Sequence, residues 1–178
     1  LMNYGAKISG SYKDWLGFYV EGTNGIVWGN RSAARLDRRI EQNFTFNDTK
    51  INFFDNTEGY IRFHHDIFNF QLGRERIIWG RGYINKMILS DNPPLYDFVK
   101  FDLAYKTLKY EFLHAWLVQP KTTFFIDSLS GEGRNKPSKY IAVSRLSYTP
   151  SPDLSFGVSQ LIIYANRPFE AAYLNPFL

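Results

Sequence analysis

Apolar and polar residues alternate with a period of two along much of this 178-residue chain, and this pattern limits the fold most. In FNFQLGRE, for example, Phe68, Phe70 and Leu72 fall on one face. Because successive side chains of a β-strand point to opposite faces, the pattern predicts strands with one apolar face. We predict about eight strands, at residues 4–12, 15–23, 58–65, 68–78, 98–106, 109–118, 139–149 and 154–164.

Short and long connections alternate between the predicted strands. Tight turns at YKDW, HHDI, YKTLKY and TPSPDL join the strands of each pair. The connections between pairs are long and cover residues 24–57, 79–97 and 119–138, with another starting at 165. Barrels of outer membranes have short turns on one side and long loops on the other. We therefore predict an all-β fold, an antiparallel up-and-down transmembrane β-barrel, with residues 1–178 as a single segment of it.

Aromatic residues make up 18% of the chain and concentrate on the apolar faces of the predicted strands. Tyr and Trp favour the boundary between hydrocarbon and water, because one end of the side chain is apolar and the other forms hydrogen bonds. A soluble antiparallel barrel or sandwich also alternates, and it stays open as an alternative. The density of Phe, Tyr and Leu on one face favours contact between that face and lipid.

The composition argues against several other classes of protein. No apolar run reaches the ~18 residues that a transmembrane helix needs. The chain has no cysteine for a disulfide framework or a thiolate metal site. Its net charge of +4 comes without a basic run, so we expect no nucleic-acid partner. Since no signal peptide is visible and the chain begins and ends within the pattern, we expect a mature piece of a longer protein.

The predicted external loop 24–57 contains a second periodicity. In SAARLDRRIEQNF, Leu36, Ile40 and Phe44 stand four residues apart, with charged residues between them. This spacing favours a short helix over or inside the barrel mouth, and a strand extended beyond the membrane is the alternative.

The stretch RERIIWGRGYINKMILSDNPPLYD, residues 74–97, leads into the predicted external loop 79–97. Its GRGYIN has only two glycines of a dinucleotide fingerprint and no strand–helix–strand unit around it, so nucleotide binding is a poor interpretation. Aromatic rings stack on the apolar face of sugars, and arginines pair with the carboxylates of acidic sugars. We therefore expect a polysaccharide-binding site, with Asn side chains bonding hydroxyls, formed by Arg74, Arg76, Trp79, Arg81, Tyr83, Asn85, Asn92, Asn166 and Arg167. Alternatively, these residues tie the loop to the barrel wall or to lipopolysaccharide phosphates.

Two other constellations invite a catalytic or metal-binding hypothesis. His64 and His65 are adjacent in a predicted strand and point to its opposite faces, so they cannot bind one ion together. Asp102 and Glu111 could meet across a hairpin as an acid and base pair. With Lys106 nearby and Arg145 on a neighbouring inward face, we expect a structural ion network instead. We predict no enzyme activity, no metal and no cofactor.

ERIIWGRGYINKMILSDNPP, followed later by NRPFEAAYLNPF, resembles the Wzi-type capsule assembly family of Gram-negative outer membranes. The resemblance spans residues 58–178, while residues 1–57 carry no distinctive motif. The residues that carry it are Arg76, Trp79, Gly80, Gly82, Leu89, Ser90, Asn92, Pro93, Leu174, Asn175 and Pro176.

The resemblance implies a large barrel of more than eight strands in the cell outer membrane, with its loops facing outside. It also implies a lectin-like, non-enzymatic role in holding capsular polysaccharide. The expected partners are surface polysaccharide, outer-membrane lipid and other outer-membrane proteins. The residues themselves leave three alternatives open: a barrel enzyme, a subunit of a larger surface assembly, and a porin or transporter with an inward polar face of Glu21, Glu75, Lys106 and Arg145.

Overall fold

The computed structural model describes residues 1–37, 40, 52–79, 89, 95–117, 125–126, 133–134, 139–165 and 170–174. Ten strands occur in this part of the chain: β1 (Met2–Tyr12), β2 (Leu16–Ile26), β3 (Phe53–His65), β4 (Phe68–Glu75), β5 (Tyr96–Tyr105), β6 (Leu108–Leu117), β7 (Phe125–Ile126), β8 (Gly133–Arg134), β9 (Lys139–Ser151) and β10 (Leu154–Ala165). A four-residue helix, α1 (Arg31–Ala34), and a 3₁₀ turn, Ala171–Leu174, are the helical elements of the described residues.

The eight long strands form one antiparallel sheet in which the strand order follows the chain, β1-β2-β3-β4-β5-β6-β9-β10. This up-and-down order confirms the predicted fold class. The short strands β7 and β8 pair only with each other. Among the helices described, none has the length and apolar character needed to cross a membrane.

The tight turns form at the predicted places. Lys13, Asp66 and Lys106 occupy the first three of them, each with a positive φ of 48–51°. Non-glycine residues seldom adopt this left-handed conformation outside turns. The largest shift in a strand boundary is at β3, which begins at Phe53 rather than residue 58. Asn56, expected in a loop, lies in the strand and donates a hydrogen bond to Glu58 (3.2 Å).

Within the predicted loop 24–57, the described residues include the end of β2, helix α1, Ile40 and the start of β3. The side chain of Asn30 caps the helix by accepting hydrogen bonds from the backbone N–H groups of Ser32 (2.9 Å) and Ala33 (3.3 Å). Ile40 is fully buried against Val27 and Phe54. Phe44, the third residue of the predicted periodicity, lies outside the described residues.

The chain divides into two compact units. Unit 1 comprises Leu1–Ile61 and Gly73–Leu95, and unit 2 comprises Arg62–Leu72 and Tyr96–Leu178.

In unit 1, β1 and β2 pair over their whole length, from Met2 opposite Ile26 to Tyr12 opposite Leu16. Their apolar face includes Ile8 and Val20, both well exposed. The opposite, polar face carries Lys7, Tyr19 and Glu21. A side chain at Gly73 of β4 would collide with the backbone of Gly59 and lie 2.6 Å from the Cα of Tyr60. The two strands therefore come close enough there to require glycine.

In unit 2, strands β5, β6, β9 and β10 form a continuous ladder. The hairpin residues 62–72 join it through a hydrogen bond from the backbone N of Ala104 to the carbonyl of Ile67 (2.8 Å). Its apolar face carries Phe101, Phe112 and Tyr164, and its polar face carries Asp102, Glu111 and Arg145, as the alternation predicts.

The apolar face of unit 2 is not uniform along the strands. Near the tight turns its side chains are exposed, as for Phe156 (58%) and Val158 (61%). Farther from the turns the burial varies, since Phe112 is only 2% and Tyr164 8% exposed, whereas Trp116 is 40% exposed. Phe112 packs in a cluster with Ala142 and Tyr164. Contact between this face and lipid stays a prediction: the side chains nearest the turns are exposed, whereas Phe112 and Tyr164 are covered by neighbouring side chains.

Candidate functional site

The predicted external loop 79–97 has an ordered base. Trp79 and Leu89 form an isolated antiparallel bridge with two reciprocal backbone hydrogen bonds of 3.1 and 3.0 Å. Both side chains are buried, Trp79 at 8% exposure and Leu89 at 5%. The bridge brings together two residues that are ten positions apart in the chain. It therefore holds the two ends of the intervening segment side by side.

Three of the nine predicted sugar-binding residues are described, all in unit 1. Arg74 is exposed near the end of β4, Arg76 follows that strand half-buried, and Trp79 is buried. The burial of Trp79 favours the alternative interpretation for this residue, in which it ties the loop to the sheet. Stacking of its indole on a sugar stays a prediction. The other six predicted residues lie outside the described part: Arg81, Tyr83, Asn85, Asn92, Asn166 and Arg167.

The segment EAAYLNP contributes a packing contact to unit 2. Tyr173, in the 3₁₀ turn, packs against Tyr164 of β10 with 4.8 Å between ring centroids. Its backbone N donates to the carbonyl of Glu170 (3.2 Å). Tyr164 in turn hydrogen-bonds Nε2 of the buried His114 through its hydroxyl (2.7 Å). Part of this segment therefore serves to cover the aromatic cluster of the sheet.

The charged residues on the polar face of unit 2 are brought together by the strand register. Asp102 lies opposite Glu111, and Glu111 lies opposite Arg145 on the next strand. Lys109 contacts Glu111 at 2.7 Å, and Lys100 contacts Asp102 at 3.5 Å. Each carboxylate thus has an ammonium group from the same strand, two residues away.

Arg145 belongs to the same group of charges. Its Nε donates to the Ser147 hydroxyl (3.0 Å), and its guanidinium occupies the space that a side chain at Gly157 would need. The two carboxylates are paired, but with Lys100 and Lys109 rather than with Lys106 and Arg145 as expected. The ammonium of Lys106 lies over the ring of Tyr105, 5.2 Å from its centre, which is a cation–π contact. The alternation places Lys100 and Lys109 on the same face as Asp102 and Glu111, but neither lysine was included in the predicted ion network.

The histidines make local hydrogen bonds. His64 Nδ1 lies 2.8 Å from Oδ1 of Asn69 across the β3–β4 turn, and Arg62 donates to the same oxygen (3.4 Å). Among the residues that the structure describes, no three His, Cys, Asp or Glu side chains cluster as metal ligands would.

The polar face of unit 1 carries a second group of contacts, which the sequence interpretation missed. The Tyr19 hydroxyl donates a hydrogen bond to Oε2 of Glu21. The Lys7 ammonium lies 5.0 Å from the centre of the Tyr19 ring. Tyr60 of β3 stacks on Tyr19 with centroids 5.5 Å apart and planes at 17°. A tyrosine in the polar register of a strand, two residues before a glutamate, is the signal that could have identified it.

Comparison with known proteins identifies the family. The sequence pattern described as capsule assembly protein Wzi matches residues 9–166. The chain belongs to this family. The match includes part of residues 1–57, where the sequence offered no distinctive motif, and the whole of loop 79–97. It ends before Leu174, Asn175 and Pro176, which had contributed to the resemblance.

As a member of the Wzi family, the chain has a role in capsule assembly. No curated protein and no solved structure matches the chain. The family match and the geometry of the described residues are therefore the two bases for its function.

Proposed function

We propose that this Wzi-family protein is an outer-membrane β-barrel protein that binds or anchors capsular polysaccharide in a lectin-like, non-enzymatic manner. The observation that carries the proposal is the family match, which runs through the sheet and through loop 79–97. Capsule assembly requires contact with polysaccharide, and a lectin-like protein makes that contact without chemical change to the sugar.

The exposed apolar side chains support a place in the membrane. In unit 2, Tyr105, Phe156 and Val158 are exposed near the tight turns, and in unit 1 Ile8 is 65% exposed. Strands of 9–11 residues are long enough to cross a bilayer when tilted, and β1, β2, β5 and β6 have 10 or 11 residues. In this arrangement outer-membrane lipid contacts the apolar faces, and the long loops extend outside the cell.

Within this proposal, polysaccharide is bound chiefly by loop 79–97 in unit 1 and, separately, by the turn that begins at NRPFEAAYLNP in unit 2. The Trp79–Leu89 bridge supports the loop at its base, so that the residues between them are presented together. Acidic groups of the sugar are bound by Arg74, Arg76, Arg81 and Arg167. Tyr83 stacks on a sugar ring. Trp79, which forms the bridge with Leu89, also presents the edge of its indole to the sugar. Asn85, Asn92 and Asn166 bond hydroxyls. Surface polysaccharide and other outer-membrane proteins are the proposed partners, and nucleic acid is not among them.

Binding of purified capsular polysaccharide to the full-length protein in detergent tests the proposal. Arg81→Ala removes one charge-assisted contact, and we expect the dissociation constant to rise about tenfold. Lys13→Ala is the matched control, because it removes one positive charge at a tight turn, distant in sequence from the loop. Unchanged binding by Arg81→Ala and Trp79→Ala would remove the loop from the site. Failure of the unaltered protein to bind would refute the function.

A porin function is the second candidate, since the polar face of unit 2 carries several charged residues. Conductance across a planar bilayer distinguishes the two functions. A steady open channel together with weak polysaccharide binding would favour the porin.

A further inference from the structure

The polar face of unit 1 contains a cavity of about 280 Å³. Its polar lining includes Asn3, Lys7, Glu21 and Thr23, and it passes over Gly5. The register explains the arrangement, because Lys7 lies opposite Glu21 and Gly5 lies opposite Thr23. Gly5 approaches the neighbouring strand closely, since a side chain there would meet the backbone oxygen of Gly22 and lie 3.0 Å from the Thr23 hydroxyl.

The two charged side chains that line the cavity, Lys7 and Glu21, are held in place by Tyr19. Tyr19 positions both charged groups, because its hydroxyl bonds Glu21 and its ring lies under the Lys7 ammonium. Tyr60 stacks on the other side of the same ring. Ligand binding to a preorganised site costs less conformational entropy than binding to mobile side chains.

The chemistry of the lining limits the class of ligand. One carboxylate and one ammonium balance in charge, which favours a neutral ligand over an anion or a cation. The amide of Asn3 and the hydroxyl of Thr23 each donate and accept hydrogen bonds. The Glu21 carboxylate can accept further hydrogen bonds while it holds Tyr19, because it has about four lone-pair sites. A ligand with several adjacent hydroxyl groups matches this set.

We propose that this cavity binds a neutral pyranose unit of a saccharide. The inference rests on the proposed polysaccharide function and adds a subsite separate from loop 79–97. Glu21 accepts hydrogen bonds from two neighbouring hydroxyls, Lys7 donates to a third oxygen, and Asn3 and Thr23 complete the contacts. The subsite differs from the arginine-rich loop in selecting uncharged sugar.

Titration of full-length protein in detergent with methyl α-D-glucopyranoside, followed by saturation-transfer NMR, tests the subsite. We expect binding by the unaltered protein and a dissociation constant about tenfold higher for Glu21→Gln, which loses a charged hydrogen-bond acceptor. Glu58→Gln is the matched control, because Glu58 is a carboxylate of the same unit that bonds Asn56 and does not line the cavity. Its affinity should change less than twofold. Thr23→Val provides a second variant in case Glu21→Gln does not fold.

The outcomes separate the subsite from the proposed function. Absence of binding by the unaltered protein, an equal loss in Glu58→Gln, or unchanged affinity in both Glu21→Gln and Thr23→Val would overturn the subsite. Tighter binding of glucuronate than of the neutral glucoside would overturn the choice of ligand. If polysaccharide binding depends on Arg81 while the glucoside does not bind, the proposed function stands and the subsite fails. If the glucoside binds but polysaccharide does not, the subsite stands and the proposed function fails.

Discussion

The polar faces of the two units use similar residues for different purposes. In unit 2, Lys100 pairs with Asp102 and Lys109 with Glu111, while the guanidinium of Arg145 lies beside Gly157. In unit 1, Lys7 and Glu21 both contact Tyr19, and a cavity remains beside them over Gly5. The difference lies in the partners of the charges: those of unit 2 pair directly with each other, whereas Lys7 and Glu21 both contact Tyr19 and line a cavity.

The largest expected effect concerns crowded glycines. A methyl group at Gly73 would meet the backbone of Gly59 and Tyr60, which cannot move without displacing a strand. We expect Gly73→Ala to lower the free energy of unfolding by about 3 kcal/mol, measured by denaturant titration in detergent.

Gly157→Ala is the comparison variant for Gly73→Ala. Its methyl group would lie 3.0 Å from Nη2 of Arg145, the flexible end of a side chain that can shift. We expect a loss below about 1 kcal/mol. Equal losses in the two variants would mean that the guanidinium of Arg145 is as rigidly held as the backbone.

The next effect tests whether the charges of unit 2 serve stability. Glu111→Ala removes a largely buried carboxylate that pairs with Lys109 and lies opposite Arg145 in the register. We expect a loss of about 2 kcal/mol in the free energy of unfolding. Compared with Glu111→Ala, Glu21→Gln in unit 1 should lower the free energy of unfolding less and weaken sugar binding more. If Glu111→Ala were as stable as the unaltered protein, the contrast between the two polar faces would be broken.

The smallest effect concerns the far half of the apolar face. Tyr164→Phe keeps the ring but removes the hydroxyl that bonds the buried His114. We expect a loss of about 1 kcal/mol by the same denaturant titration. Tyr148→Phe is the control, because Tyr148 is exposed near a tight turn and should tolerate the change.

Much of the fold could be predicted because its signals are local. The alternation in FNFQLGRE and the turn residues Lys13 and Lys106 depend on a few neighbouring positions. The cross-strand pair Asp102–Glu111 also followed from the position of one tight turn. The start of β3 was placed too late, since Asp, Asn and Thr at 55–57 resemble a loop when read without their strand partners.

The candidate site was less predictable. Trp79 has the composition signal of a sugar-stacking residue, yet it is buried and forms a backbone bridge with Leu89, ten positions away in the chain. Tyr19 stands two residues before a glutamate in the polar register of its strand, but its contacts with Lys7 and Tyr60 come from two other strands and could not be predicted from that pattern. The six remaining loop residues stay predictions.

The sequence by itself determined the all-β class, the up-and-down strand order and the division of residues between two faces, because a period of two and tight turns are set by adjacent residues. Only the tertiary structure decided which apolar side chains are covered, which charges are paired and where a cavity remains. Those properties depend on the register between strands and on the sizes of side chains that meet across it, and neither is encoded in any one segment.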